Sequence, residues 1–135
     1  MADYREISQE YAKSAIGAAM LINAGASVAV LSHLAELYKL DLLSSVVWSV
    51  MGWTAGVVLA AMAWPAAFLS ARFVDKSEKE RDREASHIHR SNCWMYASMG
   101  LVMASISCFA LGAAYMAGQY SFISEHVVLP KAATP

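Results

Sequence analysis

The side chains best suited to chemistry here are the histidines and cysteines. His87, His89 and Cys93 lie close together, after a charged stretch and before a long apolar one. His89 and Cys93 are four residues apart and so share a helical face, where an imidazole and a thiolate can hold zinc or copper. Two or three ligands do not complete a structural metal site, so a contact between subunits would have to supply the rest. His87 and His89 are also the side chains a haem or quinone site would use, although no matching motif surrounds them. Their plainer role is a wet helix beside a membrane surface. His33 and Glu36, three apart, could take a proton or a metal; the plainer reading is an interfacial pair in contact with water. Cys93 and Cys108 are fifteen residues apart, about 22 Å along a helix, so they are expected to be free thiols rather than a bridge.

No other chemistry stands out. There is no glycine-rich phosphate loop, zinc-protease motif or nucleophile motif. The apolar runs contain no charged ladder of the kind a proton pump or voltage sensor needs. An enzyme is therefore not expected, and no cofactor is predicted. A net charge of −1 gives no reason to expect nucleic acid.

The scaffold that holds these residues can be read from charge. No Asp, Glu, Lys or Arg occurs between Lys13 and Glu36, between Asp41 and Arg72, or between Arg90 and Glu125. Each gap exceeds the roughly 20 apolar residues that cross a bilayer. The expected fold is an all-α polytopic membrane protein with three transmembrane helices, spans about 14–38, 42–71 and 91–120, and a cytoplasmic charged helical hairpin. Residues 1–13 place Tyr4, Ile7 and Tyr11 at spacings of three and four, which predicts a short amphipathic interfacial helix running into the first span. Asp3, Glu6 and Glu10 argue against a signal peptide, which opens basic. Glu36 to Asp41 is read as a tight connection, and Pro65 as a kink in the second span.

Residues 72–90 interleave six Lys/Arg with five Asp/Glu, with Asp75/Lys79 and Lys76/Glu80 as opposite charges four apart. No Gly or Pro lies between Pro65 and Gly100, so helix is expected to continue past the membrane on both sides of a turn. The plainer reading of 72–90 is a solvated linker. Residues 125–135, with Pro130 and Pro135, are read as a flexible tail.

Small residues recur at helical spacing on all three spans. Gly52, Gly56 and Ala60 are four apart on the second; Gly25 stands among many alanines on the first. On the third, Ala97, Ser105, Ala113 and Ala117 form one stripe, and Gly100, Ala104, Cys108 and Gly112 the next. Such stripes let helix backbones approach where lipid offers no hydrophobic drive for association. Asn23, mid-span, needs a partner in hydrocarbon and should face another helix. Asn23, Thr54, Ser105 and Ser107 share a depth and could form one polar layer; alternatively each hydroxyl bonds its own helix. If Asn23 met its own copy it would fix oligomer register. Asn23, Gly25, Gly52, Gly56, Ala60 and Gly112 are the expected assembly residues.

Three spans put the N-terminus and residues 72–90 on one side, with Arg5, Lys13 and the six basic residues of that stretch, against Lys39 and Lys131 on the other. This bias predicts a cytoplasmic N-terminus and hairpin and a C-terminus outside. Trp64 and Trp94 fall near the inner interface, Trp48 and Tyr115 near the outer one.

Ala19 to Leu31 reads Ala-Met-Leu-Ile-Asn-Ala-Gly-Ala-Ser-Val-Ala-Val-Leu. Its Asn-Ala-Gly-Ala element resembles the first helix of small bacterial and prophage inner-membrane proteins, which often carry Asn-Gly-Gly-Ala there. The resemblance covers one span of three and departs at Ala24. It implies a bacterial inner membrane and self-association.

Three functions are consistent with these residues. The first is a homo-oligomeric membrane assembly, pore-forming or membrane-perturbing, because three helices alone would not use so many close-packing faces. The second is an accessory or anchor subunit of a larger complex, with 72–90 docking a membrane or cytoplasmic protein partner. The third is a haem-, quinone- or metal-binding subunit using His87, His89 or His33.

Overall fold

A computed structural model describes the backbone of residues 4–127 and the side chains of residues 7–124. The described residues are almost wholly helical. α1 spans Tyr4–Ser32, α2 Leu34–Lys39, α3 Leu43–Lys79 and α4 Glu84–Val127, with a single 3-10 turn at Arg81–Arg83. α1, α3 and α4 are each long and apolar enough to cross a membrane.

Residues 4–13 continue into the first long apolar helix without a break, since nothing between Tyr4 and Ser32 interrupts a helix. Ile7 is just exposed and Tyr11 fully so; residues 1–3 and the side chain of Tyr4 lie outside the described residues. That helix ends earlier than the expected first span of 14–38, at Ser32. His33 adopts φ −104° and ψ 15°, and the short α2 fills most of what reads in sequence as a tight connection.

The turn into α3 has a specific geometry. Asp41 is left-handed at φ 59°. The Leu42 N–H bonds the Leu37 carbonyl at 3.0 Å, and the Asp41 N–H bonds Tyr38 at 3.1 Å. These are the two bonds of a Schellman cap, which satisfies carbonyls left open at a helix end. Leu42 then turns inward and is almost fully buried.

α3 remains one helix through Pro65. It and α4 form a long antiparallel hairpin whose helices both run deep into the charged stretch 72–90, leaving only Glu80–Arg83 as the turn. The stretch is therefore an ordered helical hairpin rather than a linker. α1 packs mainly against α3, through Ile16, Ala19 and Asn23. α4 runs to Val127; the side chains of 125–127 and all of 128–135, where the flexible tail was expected, lie outside the described residues.

Candidate functional site

Many of the buried residues along α3 and α4 are small or polar. Along α3, Ser49, Gly56, Ala63, Ser70 and Ser77 recur every seven residues; along α4, Ser91, Ser98, Ser105 and Gly112 do the same. All but the half-buried Ser70 are buried. A seven-residue repeat keeps a seam between two helices that wind slowly around each other, and small residues let their backbones come close.

The seam pairs its residues in one antiparallel register. The Ser70 and Ser91 hydroxyls each donate to the other's carbonyl, at 3.0 and 2.9 Å. One level on, Ser98 donates to the Ala63 carbonyl at 3.0 Å. At the far end Ser49 donates to the Gly112 carbonyl at 3.2 Å. Trp53 supports that level: its indole N–H reaches the Phe109 carbonyl at 3.2 Å, and its ring lies where a Cβ on Gly112 would stand.

The level between these belongs to Gly56 and Ser105, and α1 supplies its contents. Asn23 is 0% exposed. Its amide nitrogen lies 2.9 Å from the Ala19 carbonyl, 3.1 Å from the Ser105 carbonyl and 3.1 Å from the Ser105 hydroxyl. Its oxygen has no conventional donor. A Cβ built on Gly56 would collide with that oxygen, so the Gly56 Cα–H in its place points at the oxygen. This is the setting of a weak Cα–H···O contact between helices. Asn23 thus reaches another helix, as expected of it. Of the expected polar layer, only Asn23 and Ser105 meet. Thr54 is exposed, and Ser107 donates to its own helix at Met103.

The expected assembly residues divide. Asn23, Gly56, Ala60 and Gly112 are buried inside the chain. Gly25 is exposed and Gly52 half-buried, and a Cβ at either would meet nothing within 4 Å. Gly52 leaves the seam because a four-residue step rotates about 40° around a helix, whereas the seam alternates steps of three and four. The α4 stripes divide for the same reason: Ser105 and Gly112 face α3, while Ala97, Gly100 and Ala104 face outward.

The titratable candidates divide too. His87 and His89 lie on different sides of α4, because two residues turn a helix by about 200°. His87 faces α3 at the hairpin tip. Its Nε2 is 3.1 Å from Glu80 Oε2, its ring stacks on Phe73 with centroids 6.3 Å apart, and its Nδ1 is buried without a partner. Lys76 and Arg90 lie over the same Phe73 ring at 5.7 and 6.0 Å. His89 points outward with Cys93, Nε2 to Sγ 3.9 Å. His33 Nδ1 sits 3.2 Å from Glu36 Oε2, and both are exposed. It stands at the opposite end of α3 from His87, so the two cannot share a ligand. Among the described residues no three His, Cys, Asp or Glu side chains converge. Cys93 and Cys108 are both free.

The seven-residue register was the signal missed in sequence, although it is visible there once α3 and α4 are written antiparallel. Comparison with known proteins adds no relative: no family model, no curated protein and no solved structure matches this chain.

Proposed function

We propose that this chain is a multi-pass inner-membrane protein that works as a homo-oligomer, with its N-terminus and charged hairpin in the cytoplasm. The observation that carries the reading is the contrast among its glycines. Gly56 and Gly112 are required inside the chain, where Asn23 and Trp53 occupy the space of a side chain. Gly25 and Gly100 have open space instead. Glycine weakens a helix by about 1 kcal/mol relative to alanine, so glycine without an internal neighbour is better accounted for by a helix from outside. Gly25 lies on an outward stripe with Ala15, Ala18, Ile22 and Ala29; Gly100 lies on another along α4.

The test is the mass of the purified particle in detergent or nanodisc. A discrete multimer is expected, and Gly25→Leu or Gly100→Leu should lower its order while leaving helicity unchanged. A monomer at all concentrations refutes the reading. Conductance across planar bilayers tests its pore-forming version; a non-conducting multimer leaves a scaffold.

One feature favours a partner at the same time. The hairpin tip is held in shape by Glu80, His87 and Phe73, and an ordered charged projection is suited to docking a cytoplasmic protein. That is the accessory-subunit reading, and a stoichiometric protein in native-membrane purifications would support it.

A further inference from the structure

The outward face of α4 carries an adjacent imidazole and thiol at the end of a stripe of small residues. His89 Nε2 and Cys93 Sγ are both exposed and 3.9 Å apart. In a tetrahedral zinc site, with Zn–S near 2.3 Å and Zn–N near 2.0–2.1 Å, these atoms stand roughly 3.6 Å apart. The pair is thus about 0.3 Å from a ligating edge, within reach of a small rotamer adjustment. Neither side chain is committed elsewhere: His87 has taken the contact with Glu80 and turned away.

Two ligands are half of a structural site. The rest of the same helix face indicates where the missing half comes from. Cys93, Ala97, Gly100, Ala104 and Ser107 alternate steps of four and three, all are exposed, and Gly100 has nothing within 4 Å of a Cβ position. This stripe lies on the opposite side of α4 from the seam with α3, so the chain's own helices do not cover it. Copies inserted with the same topology have parallel α4 helices. A two-fold axis along the membrane normal then sets each residue of the stripe against its own counterpart. Cys93 meets Cys93 and His89 flanks it on both sides.

We infer that two copies of this chain close a Cys2His2 site for zinc, or a similarly thiophilic divalent ion, from His89 and Cys93 of each α4. The inference rests on the homo-oligomer reading and specifies one of its interfaces. Zinc binding at neutral pH releases the thiol protons and leaves two thiolates on the ion. The site falls at the cytoplasmic end of the span in the proposed orientation, where thiols stay reduced and a metal is favoured over a disulfide.

The experiment uses the full chain in detergent, with Cd2+ and Zn2+ as probes. Expected are a thiolate-to-cadmium absorption band saturating at one ion per two chains, a Zn2+-dependent shift towards dimer, and oxidative crosslinking through Cys93. Cys93→Ser and His89→Ala should abolish or strongly weaken the band, with helicity and melting preserved because both side chains are exposed. Cys108→Ser should leave band and crosslink intact. A dimer that crosslinks at Cys93 without a metal band overturns the metal site and leaves the assembly. A multimer that fails to crosslink at Cys93 overturns this interface only. A monomer in the presence of Zn2+ overturns both.

Discussion

Asn23 of α1 occupies the space that a side chain on Gly56 of α3 would need, and from there its amide nitrogen reaches Ser105 of α4. One amide therefore ties all three long helices at one level, and the glycine opposite makes room for it.

That relationship is open to a double-mutant cycle. Gly56→Ala should destabilise by about 1–3 kcal/mol, the usual cost of forcing a methyl into a packed site. In Asn23→Ala the same substitution should cost much less, giving a coupling of about 1 kcal/mol or more, within the range for contacting residues. Thermal or denaturant unfolding in a fixed detergent measures it. Additive effects would mean that the two residues are not in contact. Gly56→Leu is correspondingly a poor test of association, since it must disrupt the single chain first.

Gly112 and Gly52 should behave differently. Gly112→Ala meets the Trp53 ring and should cost about 1–3 kcal/mol. Gly52→Ala meets nothing within the chain and should gain a few tenths to about 1 kcal/mol from helix propensity. Melting of the two variants side by side decides the matter; equal losses would contradict the packing described.

The serine bonds of the seam should be modest and separable. Ser98→Ala and Ser49→Ala each remove one hydroxyl-to-carbonyl bond. Within a membrane such bonds average about 0.6 kcal/mol. They stand far apart along the hairpin, so the double variant should be additive within about 0.5 kcal/mol.

His87→Ala should loosen the hairpin tip without unfolding the rest of the helices. It removes the contact to Glu80 and the stack on Phe73. Hydrogen exchange should accelerate over residues 77–90 and remain unchanged around Asn23 and Ser105. Uniform acceleration along the chain would assign His87 a wider structural role.

Asp41→Gly should raise stability. Asp41 is the one described non-glycine residue with positive φ, at the position of a Schellman cap that usually takes glycine. Relief of that conformation should contribute up to about 1 kcal/mol, read as an upward shift in melting temperature.

Much of this architecture is legible in the residue types. Three charge-free gaps, each longer than a bilayer crossing, determine three long apolar helices, because charges are costly in hydrocarbon and their distribution is readable one residue at a time. The unbroken stretch from Pro65 to Gly100, with no residue that stops a helix, predicts that α3 and α4 project beyond the apolar limit, and they do. Asn23 announces itself because an amide in mid-span must find a partner on another helix.

Which partner it finds, and which of the many small residues pack, depends on how the helices come together. Every Gly, Ala and Ser on a span is equally suited to close approach until the crossing of two helix axes selects a face. The packing of the three helices made that selection here, enclosing Gly56 and Gly112 and leaving Gly25 and Gly100 exposed and Gly52 half-buried. It also decided which of His87 and His89 is buried, since the rotation of α4 that encloses His87 turns His89 away. Composition and spacing determine what each helix can do, whereas the relative rotation of helices is a property of all three together.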